Sequence, residues 1–521
     1  MQWAKCFGGK GNDVAQSMIQ TYDGGYLIVG STNSLDGDVA GLHDSLGSRA
    51  DYWLIKLDSN GILLWQKCIG GSDKDSATCI IQTKDNGYAI CGFTWSQDGD
   101  ASGNINFYSA DFWVIKIDST GSMLWQKTYG GYQDDKAYTI IQTNERGYIV
   151  AGSTMSPNGN VTGCHGATDY WVIKLDSLGN LIWNKCYGGN GDETAKSIVQ
   201  TFDGGYIICG FTDSDNGDVT GLNKDNSGNN TYDIWIVKTD SAGEIQWEKT
   251  YGGMQNDYGC AIIQTKDSGY VIFGTCDFGK NDSGYYFYDD YCLIKIAGIG
   301  AVKWQQKYGG SNYDEASSMT QTNDGGFLLA GYTLSNDYEV SGNHGGYDAY
   351  IVKTDSLGNY QWSKCFGGSR DDVPYSIVQT KDGGYAFAGS TFSNDGDVFE
   401  WHDSCILGSI YLDSVCTNDF WIVKLYPYDP IKIIAPQNTS VYVYPNPFDF
   451  NTTLLFKLDS LPVNCVLNIY DITGQQVRSL AITDESNSIN IYRDRLSKGF
   501  YICELIENGK IILSVGKLII D

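Results

Sequence analysis

Basic residues, histidine and long apolar runs are all scarce in this sequence. Its 521 residues include 35 Lys and Arg against 62 Asp and Glu, which leaves a formal net charge of -27, and only 4 His. A phosphate backbone rewards Lys and Arg, so this balance argues against nucleic acid as a partner. No apolar stretch approaches the ~20 residues of a membrane-spanning helix, so no transmembrane segment is predicted.

Helical patterns and catalytic motifs are missing as well. Apolar residues spaced three and four apart are uncommon, whereas short β-branched and aromatic segments bounded by Gly, Asn and Asp recur along the chain. This pattern favours an all-β protein. The sequence contains no GxSxG, HExxH or phosphate-binding motif, so no catalytic residues are predicted and a protein that is not an enzyme is favoured.

What the chain does contain is a repeated W-x-x-x-x-G-G motif, in most copies with Lys at its third position. Seven copies begin 57 to 64 residues apart, at Trp3, Trp65, Trp125, Trp183, Trp247, Trp304 and Trp362. A fixed period of this length indicates one supersecondary unit repeated along the first ~425 residues.

Each repeat is predicted to form four antiparallel strands, here named A to D. In the second repeat these are residues 77–83, 88–94, 111–118 and 123–130, separated by turn-forming residues. Radially repeated four-stranded sheets are the blades of a β-propeller, and seven are predicted. The seventh repeat lacks its D strand, while residues 2–7 form a D strand without a repeat, so closure of the ring by the N-terminal strand is predicted. The alternative is an artificial start at Met1, with further blades upstream.

The repeat pattern stops at Tyr426. Residues 1–426 are therefore assigned to the propeller, residues 427–440 to a linker on their prolines and lack of register, and residues 441–521 to a separate domain. About seven short strands in ~80 residues are enough for a small Ig-like β-sandwich.

The last domain resembles the type A C-terminal sorting domain of the bacterial type IX secretion system. The resemblance rests on the YPNPF entry (Tyr444, Pro445, Asn446, Pro447), the IYDITGQQV segment with Gly474, the LSKGFY hairpin with Gly499 and Tyr501, and the terminal GKLII. It implies export through the type IX machinery to the medium or the outer-membrane cell surface. The family carries an N-terminal secretory signal, which does not precede the repeats here, so we expect a truncated or misassigned start. The repeats themselves resemble the WxKxxGG and DGGY repeats of secreted bacterial propellers.

One acidic residue per repeat precedes the predicted strand A, in the D-to-A connection. These residues are Asp13, Asp75, Asp135, Glu193, Asp257, Asp314 and Asp372. As a ring at the channel mouth they would attract cations or bind a ligand. Alternatively, each carboxylate accepts local backbone N–H groups and fixes the turn into strand A.

The B-to-C loops contain alternating acidic residues that are candidate calcium ligands. These are Asp36 and Asp38, Asp98 and Asp100, and Asp395 and Asp397. Calcium takes six to eight oxygen ligands, but the full loop with its terminal Glu is absent, and turn formation explains the triplets equally well.

The remaining candidates are histidines, cysteines and tryptophans. His43, His165, His344 and His402 share one register but belong to different blades, so they are not expected to share one metal ion. Cys405 and Cys416, in one long loop, are the predicted disulfide among 15 cysteines. Twelve of the 14 Trp fall in C and D strands, while Trp95 and Trp401 lie in B-to-C loops and could stack on a sugar or peptide.

Taken together, these features predict a secreted or cell-surface binding or adhesion module whose ligand is a glycan or a protein. The alternative is an extracellular polysaccharide-acting enzyme with its site at the channel mouth, since fold alone does not decide function. Blade 5 (276–291) and blade 7 (393–420) depart most from the repeat, and a catalytic site would need such departures.

Overall fold

The computed structural model describes residues 1–104, 106, 108–277, 289–402, 417–427, 433–434, 440–444, 446–448, 450–457, 465–471, 475–482, 488–494, 496–507 and 510–520. All regular elements in these ranges are β-strands. Within the described residues no helix is long and apolar enough to cross a membrane. Contacts divide the chain into two compact units, one of Gln2–Lys381 and Ala386–Lys424, the other of Leu425–Asp521 with Met1 and Asp382–Tyr385.

The first unit contains seven four-stranded antiparallel sheets, which confirms the seven-bladed propeller. The strands of the first four blades, after the N-terminal β1 (Trp3–Phe7), are β2 (Asp13–Gln20), β3 (Tyr26–Thr32), β4 (Asp51–Leu57), β5 (Leu63–Ile69), β6 (Asp75–Gln82), β7 (Tyr88–Thr94), β8 (Asp111–Ile117), β9 (Met123–Tyr129), β10 (Asp135–Gln142), β11 (Tyr148–Thr154), β12 (Asp169–Leu175), β13 (Leu181–Tyr187), β14 (Glu193–Gln200), β15 (Tyr206–Thr212), β16 (Asp233–Thr239) and β17 (Ile245–Tyr251). Those of the last three blades are β18 (Tyr258–Gln264), β19 (Tyr270–Cys276), β20 (Asp290–Ile296), β21 (Val302–Tyr308), β22 (Asp314–Gln321), β23 (Phe327–Thr333), β24 (Asp348–Thr354), β25 (Tyr360–Phe366), β26 (Asp372–Gln379), β27 (Tyr385–Thr391) and β28 (Asp419–Leu425).

The N-terminal strand closes the ring. Strand β1 pairs antiparallel with β28 from Trp3 opposite Lys424 to Phe7 opposite Phe420, and it takes the outer D position of blade 7. Blade 7 also contacts blade 1, because the Lys381 backbone N–H donates to Gln20 Oε1 at 2.8 Å. The predicted closure is therefore confirmed, and β1 gives blade 7 the same four strands as the other blades.

Aromatic residues on the C strands hold neighbouring blades together. The rings of Tyr52 and Trp113 lie 4.5 Å apart, and the Tyr52 hydroxyl donates to the Trp113 carbonyl at 3.2 Å. The same tilted contact joins Trp53 to Phe420 between blades 1 and 7. These tryptophans are fully buried, so they are core residues as predicted, and such pairs contribute beyond their buried area.

The A-to-B turns combine an exposed aspartate with a buried lysine. Lys56 is 3% exposed, and its ammonium lies 3.1 Å from Asp23, whose side chain is 61% exposed. Asp23 also accepts the Gly25 N–H and the Thr21 hydroxyl within the turn. The pattern repeats in four more blades, at Asp85 with Lys116, Asp203 with Lys238, Asp267 with Lys295, and Asp324 with Lys353. We call this end of the blades the turn face.

The second unit contains two four-stranded sheets. Its strands are β29 (Ile433–Ile434), β30 (Ser440–Tyr444), β31 (Asn451–Lys457), β32 (Cys465–Asp471), β33 (Gln476–Ile482), β34 (Ser488–Tyr492), β35 (Gly499–Glu507) and β36 (Lys510–Ile520), in the orders β29-β30-β31-β34 and β33-β32-β35-β36. Leu454 and Ile491 of the first sheet share one core with Leu467, Ile469 and Cys503 of the second. Two sheets around a common core make a β-sandwich.

Two residues of the predicted sorting motif have structural roles in this unit. Asn446 is buried and its side-chain oxygen accepts the Ile519 N–H at 2.7 Å, which ties the entry segment to β36. The Tyr501 hydroxyl donates to the Ser497 carbonyl at 2.8 Å. Tyr444 and Gly499 lie in β30 and β35, and Pro447 follows Asn446, whereas Pro445 and Gly474 lie outside the described residues.

Candidate functional site

The acidic residue before or at the start of each A strand is buried at the junction between two blades. All seven are 0% exposed: Asp13, Asp75, Asp135, Glu193, Asp257, Asp314 and Asp372. In each blade the carboxylate accepts the backbone N–H of the second glycine of the G-G pair, at 2.6 to 2.9 Å. In five blades it also accepts the hydroxyl of the serine that begins the B-to-C loop. These are the contacts expected if each carboxylate fixes the turn into strand A, and they hold the carboxylates away from solvent.

A second buried acidic residue faces each of these carboxylates. It is the first residue of strand C in the preceding blade: Asp51, Asp111, Asp169, Asp233, Asp290, Asp348 and Asp419. Gly70 lies between the two groups, because a Cβ there would come 2.5 Å from Asp51 Oδ1 and 2.7 Å from Asp75 Oδ2. The first glycine of the G-G pair is therefore required to let two carboxyl groups approach. We call this end of the blades the junction face.

Burial raises the pKa of the junction carboxyls. It raises the pKa of Asp13 and Asp75 to about 7 and that of Asp257 to about 8, against an ordinary value of 3.8. The pKa of the facing Asp51 is also raised, because burial outweighs the contacts with His43 that act to lower it. A carboxyl that is removed from water and placed beside another carboxyl holds its proton more tightly.

The four histidines lie at four different junctions, each against the strand C aspartate of its own blade. His43 Nδ1 is 2.6 Å from Asp51 Oδ2 and its Nε2 is 3.5 Å from Asp100 Oδ2 in the next blade. His402 bridges Asp419 and Asp38 in the same way, at 2.9 and 3.5 Å. The hydrogen bond to Asp419 raises the pKa of His402. His165 and His344 contact Asp169 and Asp348. The four histidines share one position in the repeat because that position lies beside the strand C aspartate.

The candidate calcium ligands in the B-to-C loops contact the backbone of the D-to-A connection. Asp36 Oδ1 accepts the Lys10 N–H at 2.8 Å, Asp98 Oδ1 the Ser72 N–H at 2.7 Å, and Asp395 Oδ1 the Ser369 N–H at 2.7 Å. Asp38 and Asp100 face the Gly8 and Gly70 N–H groups at 3.3 and 3.4 Å. The Asp397 N–H donates to the Gly367 carbonyl. Over the described ranges these residues do not form a compact group of three metal-ligating side chains.

The two loop tryptophans occupy different surroundings. Trp95 is half-buried, lies edge-on to Phe93 at 5.3 Å, and has the ammonium groups of Lys74 and Lys136 5.5 and 5.3 Å from its ring. Trp401 is half-buried and its indole N–H is buried. The two ammonium groups therefore make cation–π contacts with the Trp95 ring, and the ligand-binding role of Trp95 and Trp401 stays a prediction.

A cavity lies at the channel mouth of blades 4, 5 and 6. It has a volume of about 950 Å³ and is lined by Lys196, Phe211, Gln255, Asn256, Tyr258, Asp277, Asp289, Tyr313 and Glu315, among others. A second cavity of about 560 Å³ lies deeper and is lined by residues from all seven inner strands. The two share Lys196, Cys260 and Ala316, so the mouth cavity opens into the channel.

Aromatic rings form one wall of the mouth cavity. Phe211, Tyr232 and Tyr258 pack together with ring centroids 5.0 to 5.6 Å apart. Lys196 lies beneath them, with its ammonium 4.0 Å from the Tyr138 ring centroid and 6.0 Å from that of Phe211. Burial lowers the pKa of Lys196. Rings fixed by mutual packing give a ligand a rigid apolar surface at low entropic cost.

Carboxylates form the opposite wall. Glu315 Oε2 accepts the hydroxyl of Tyr332, which fixes its position, while Asp277 is 2% exposed. Burial, and then the negative charges of Glu315 and Asp277, raises the pKa of Asp289. The cavity therefore combines aromatic faces, amide groups and acidic oxygens, the groups that recognise a polar ligand with apolar surfaces.

Two residues that line the cavity, Tyr258 and Glu315, occupy the position directly after the buried carboxylate of their blades. This position is Val14, Ser76, Lys136, Thr194, Tyr258, Glu315 and Val373 in blades 1 to 7. It follows the buried carboxylate directly and is half-buried in all seven blades. Tyr258 and Glu315 are not among the predicted site residues. The sequence signal for them is their difference from the other repeats at this position.

Comparison with known proteins identifies the C-terminal unit. The model for the secretion system C-terminal sorting domain matches residues 442–521. This confirms the predicted sorting domain. The chain therefore carries the tail that engages the type IX secretion machinery, and its destination is secretion or the cell surface. The Ig-like classification of the sandwich stays a prediction.

The other matches are distant. The regulatory protein FlaEY of Caulobacter vibrioides is 22% identical over 196 residues, 36% of this chain and 20% of that protein. The WD40 domain of Neurospora crassa Pan2 matches with 10% identity over 73% of this chain and 86% of that one, at a TM-score of 0.38. A GH43_12 protein retrieved from a capybara gut metagenome matches with 10% identity over 98% and 90%, at 0.28. The fold assignment rests on the seven sheets and not on these scores.

Proposed function

We propose that this chain is an exported binding protein that holds an extracellular glycan in the mouth cavity of blades 4 to 6. The observation that carries the proposal is the residue directly after the buried carboxylate of strand A. Blades 5 and 6 place Tyr258 and Glu315 there, whereas the other blades carry Val14, Ser76, Lys136, Thr194 and Val373. Blades 5 and 6 are thus the two with an aromatic or an acidic residue at this position, and both residues line the cavity.

The chemistry of the cavity supports a sugar ligand. Sugar rings present C–H faces that pack on aromatic side chains, and the rings of Phe211, Tyr258 and Tyr313 line the cavity. Hydroxyl groups need hydrogen-bond partners in fixed positions, which Gln255, Asn256 and the acidic residues can supply. Volume is sufficient as well, since ligand pockets commonly occupy roughly 300 to 1,000 Å³.

The test compares two equivalent positions in a binding experiment on the full chain. Tyr258→Ala removes the aromatic face, whereas Val14→Ala changes the same strand position in blade 1, away from the cavity. On an array of polysaccharides followed by titration of the best ligand, Tyr258→Ala should weaken binding about tenfold, or about 1.4 kcal/mol, and Val14→Ala should leave it unchanged. Equal affinities for the two variants would show that the ligand binds elsewhere.

A second candidate function is hydrolysis of the bound polysaccharide. One observation favours it: Asp289 and Glu315 share the cavity, and the raised pKa of Asp289 suits a general acid. Asp289→Asn and Glu315→Gln keep the size of each side chain. If the protein is an enzyme, both changes abolish release of reducing sugar while the ligand still binds. If the wild-type protein binds the ligand and releases no sugar, it is a binding module.

A further inference from the structure

Blade 3 contains two cysteines in contact. Cys164 lies in the B-to-C loop and Cys186 in the outer strand β13, and their sulfur atoms are 3.1 Å apart. Cys186 is 8% exposed. Two sulfur atoms that only touch would be separated by more than this, so a shift of about 1 Å brings them to the ~2.05 Å of a disulfide bond.

Among the described residues, blade 3 alone has cysteine at both of these positions, which recur in other blades. Cys68 in blade 1 and Cys365 in blade 6 occupy the place of Cys186, since each lies opposite the third residue of strand C. The loop position of Cys164 is Leu42 in blade 1, Leu222 in blade 4 and Asn343 in blade 6. Each of these precedes the residue whose N–H donates to the strand C aspartate. Blades 1, 3 and 6 thus share the cysteine of the outer strand, and blade 3 differs from the other two in having a second cysteine at the loop position.

We propose that Cys164 and Cys186 form a disulfide bond in the exported protein, and that this bond fastens the B-to-C loop of blade 3 to the outer strand. The sorting domain directs the chain out of the cytoplasm, and disulfides persist in such compartments. The described chain already contains one disulfide, Cys276–Cys292 in blade 5. The loop it would fasten carries His165, whose N–H donates to Asp169 at 2.6 Å in the junction with blade 4.

The bond forms by thiol–disulfide exchange with an external disulfide, such as that of a dithiol oxidoreductase. One cysteine thiolate attacks the external disulfide and forms a mixed disulfide, and the second thiolate then displaces the external thiolate. The protein loses two electrons and two protons, and the external disulfide is reduced to two thiols.

Asp169 lies close enough to both sulfur atoms for a metal ion to be the alternative. The three ligand atoms lie within 4.8 Å of one another. Tetrahedral zinc, with Zn–S bonds of about 2.3 Å, holds two sulfur atoms about 3.8 Å apart, which is farther than they lie here. The buried, unpartnered Asp169 Oδ1 does not indicate zinc either, because Asp51 and Asp348 have the same feature in blades without a cysteine pair.

The test is alkylation of the full chain, exported and purified without reductant. The protein is unfolded in guanidinium with iodoacetamide, digested and analysed by mass spectrometry. We expect a linked peptide pair containing Cys164 and Cys186, about 2 Da lighter than the two thiol peptides together, while Cys68 is fully alkylated. Alkylation of both Cys164 and Cys186 before reduction would overturn the proposal. Alkylation together with one equivalent of zinc per chain, lost in Cys164→Ser, would replace the disulfide with a metal site.

A second variant guards against misfolding. Cys164→Leu places in blade 3 the residue that blades 1 and 4 carry, so it should fold. Reduction with dithiothreitol should lower the melting temperature of the wild-type chain more than that of Cys164→Leu, because the Cys276–Cys292 bond is common to both. The same loss in both proteins would contradict a bond at Cys164.

Discussion

The two faces of the propeller use aspartate in opposite ways. On the junction face, pairs of carboxyl groups are buried against each other, and burial raises the pKa of Asp75 to about 7. On the turn face, Asp85 is largely exposed and beside the buried ammonium of Lys116. Partial burial acts to raise the pKa of Asp85. Hydrogen bonds from Thr83, Gly87 and Lys116 together outweigh burial, so the pKa is lowered. One residue type therefore forms buried carboxyl pairs on one face and serves as the counter-ion of lysine on the other.

Burial of the junction pairs favours the neutral form of their carboxyl groups, which a formal net charge does not take into account. A count of -27 treats every carboxyl as ionised, but a buried pair is stable only if at least one member is neutral or compensated. Four junctions have a histidine beside the pair. The acidic residues of the turn face, by contrast, retain their charge because lysine lies next to them.

The largest expected effect comes from removing a junction carboxyl. Asp135 accepts the hydroxyl of Thr154, the Gly131 N–H at 2.8 Å and the Ser156 hydroxyl at 2.9 Å. Asp135→Ala leaves these buried donors without an acceptor, so we expect a loss of about 3 kcal/mol in the free energy of unfolding. Denaturant unfolding measures it. Asp135→Asn is the matched control: it keeps one acceptor oxygen, adds no charge and should cost less than half as much. Equal losses would show that the charge matters and not the hydrogen bonds.

A smaller effect is expected on the turn face. Asp85→Ala removes the counter-ion of Lys116, which is 3% exposed, and should cost about 2 kcal/mol because hydrogen bonds to charged groups contribute roughly 1.5 to 3 kcal/mol. Adding Lys116→Met, which fills the same space without charge, should restore most of the loss. A double variant as unstable as Asp85→Ala would mean that the aspartate acts only by capping its turn.

The two faces should also give pH dependences of opposite sign. A junction carboxyl with a folded pKa of about 7 binds its proton more tightly than the unfolded chain does, so its contribution to stability falls as pH rises from about 4 to about 7. A turn-face carboxyl such as Asp203, whose pKa is lowered to about 2, contributes stability that appears as pH rises from about 2 to about 4. Thermal unfolding should therefore give a higher melting temperature at pH 5 than at pH 8. Asp75→Asn should make this difference smaller, and an unchanged slope would contradict the assignment.

The smallest expected effect concerns calcium. If the B-to-C loops bind it, calcium should raise the melting temperature slightly more than magnesium does at equal ionic strength. Asp36→Ala with Asp38→Ala should remove that difference. Because Asp36 already accepts the Lys10 N–H and lies 3.0 Å from the Lys10 ammonium, we expect a stabilisation below about 1 kcal/mol. Identical responses to the two ions would leave the loops as structural elements.

The strands could be predicted from sequence because repetition averages out local ambiguity. In blade 2, strand B was predicted at 88–94 and is Tyr88–Thr94, and strand C was predicted at 111–118 and is Asp111–Ile117. Closure by β1 was predictable because the seventh repeat lacks a D strand and the N-terminal segment supplies one that belongs to no other repeat. The sorting domain was predictable from its short motifs.

The sites were less predictable because they depend on which residues meet across blades. Asp51 and Asp75 are 24 residues apart in sequence, and nothing in either repeat alone shows that they face each other across Gly70. The mouth cavity brings together Phe211, Tyr258 and Glu315 from three blades. The Cys276–Cys292 disulfide was not predicted, and the predicted pair Cys405 and Cys416 lies outside the described residues.

Closure by β1 also sets the order in which the protein can fold. Trp3 pairs with Lys424, a separation of 421 residues (424 minus 3). Contacts this distant in sequence cannot form until nearly the whole propeller has been synthesised, and they incur a large loop-closure entropy. A chain cleaved before β28 would fold its other blades and yet expose two strand edges, ready to pair with another chain. Ring closure therefore depends on a chain that extends through β28, because β1 has no partner strand in blade 7 before β28 is made.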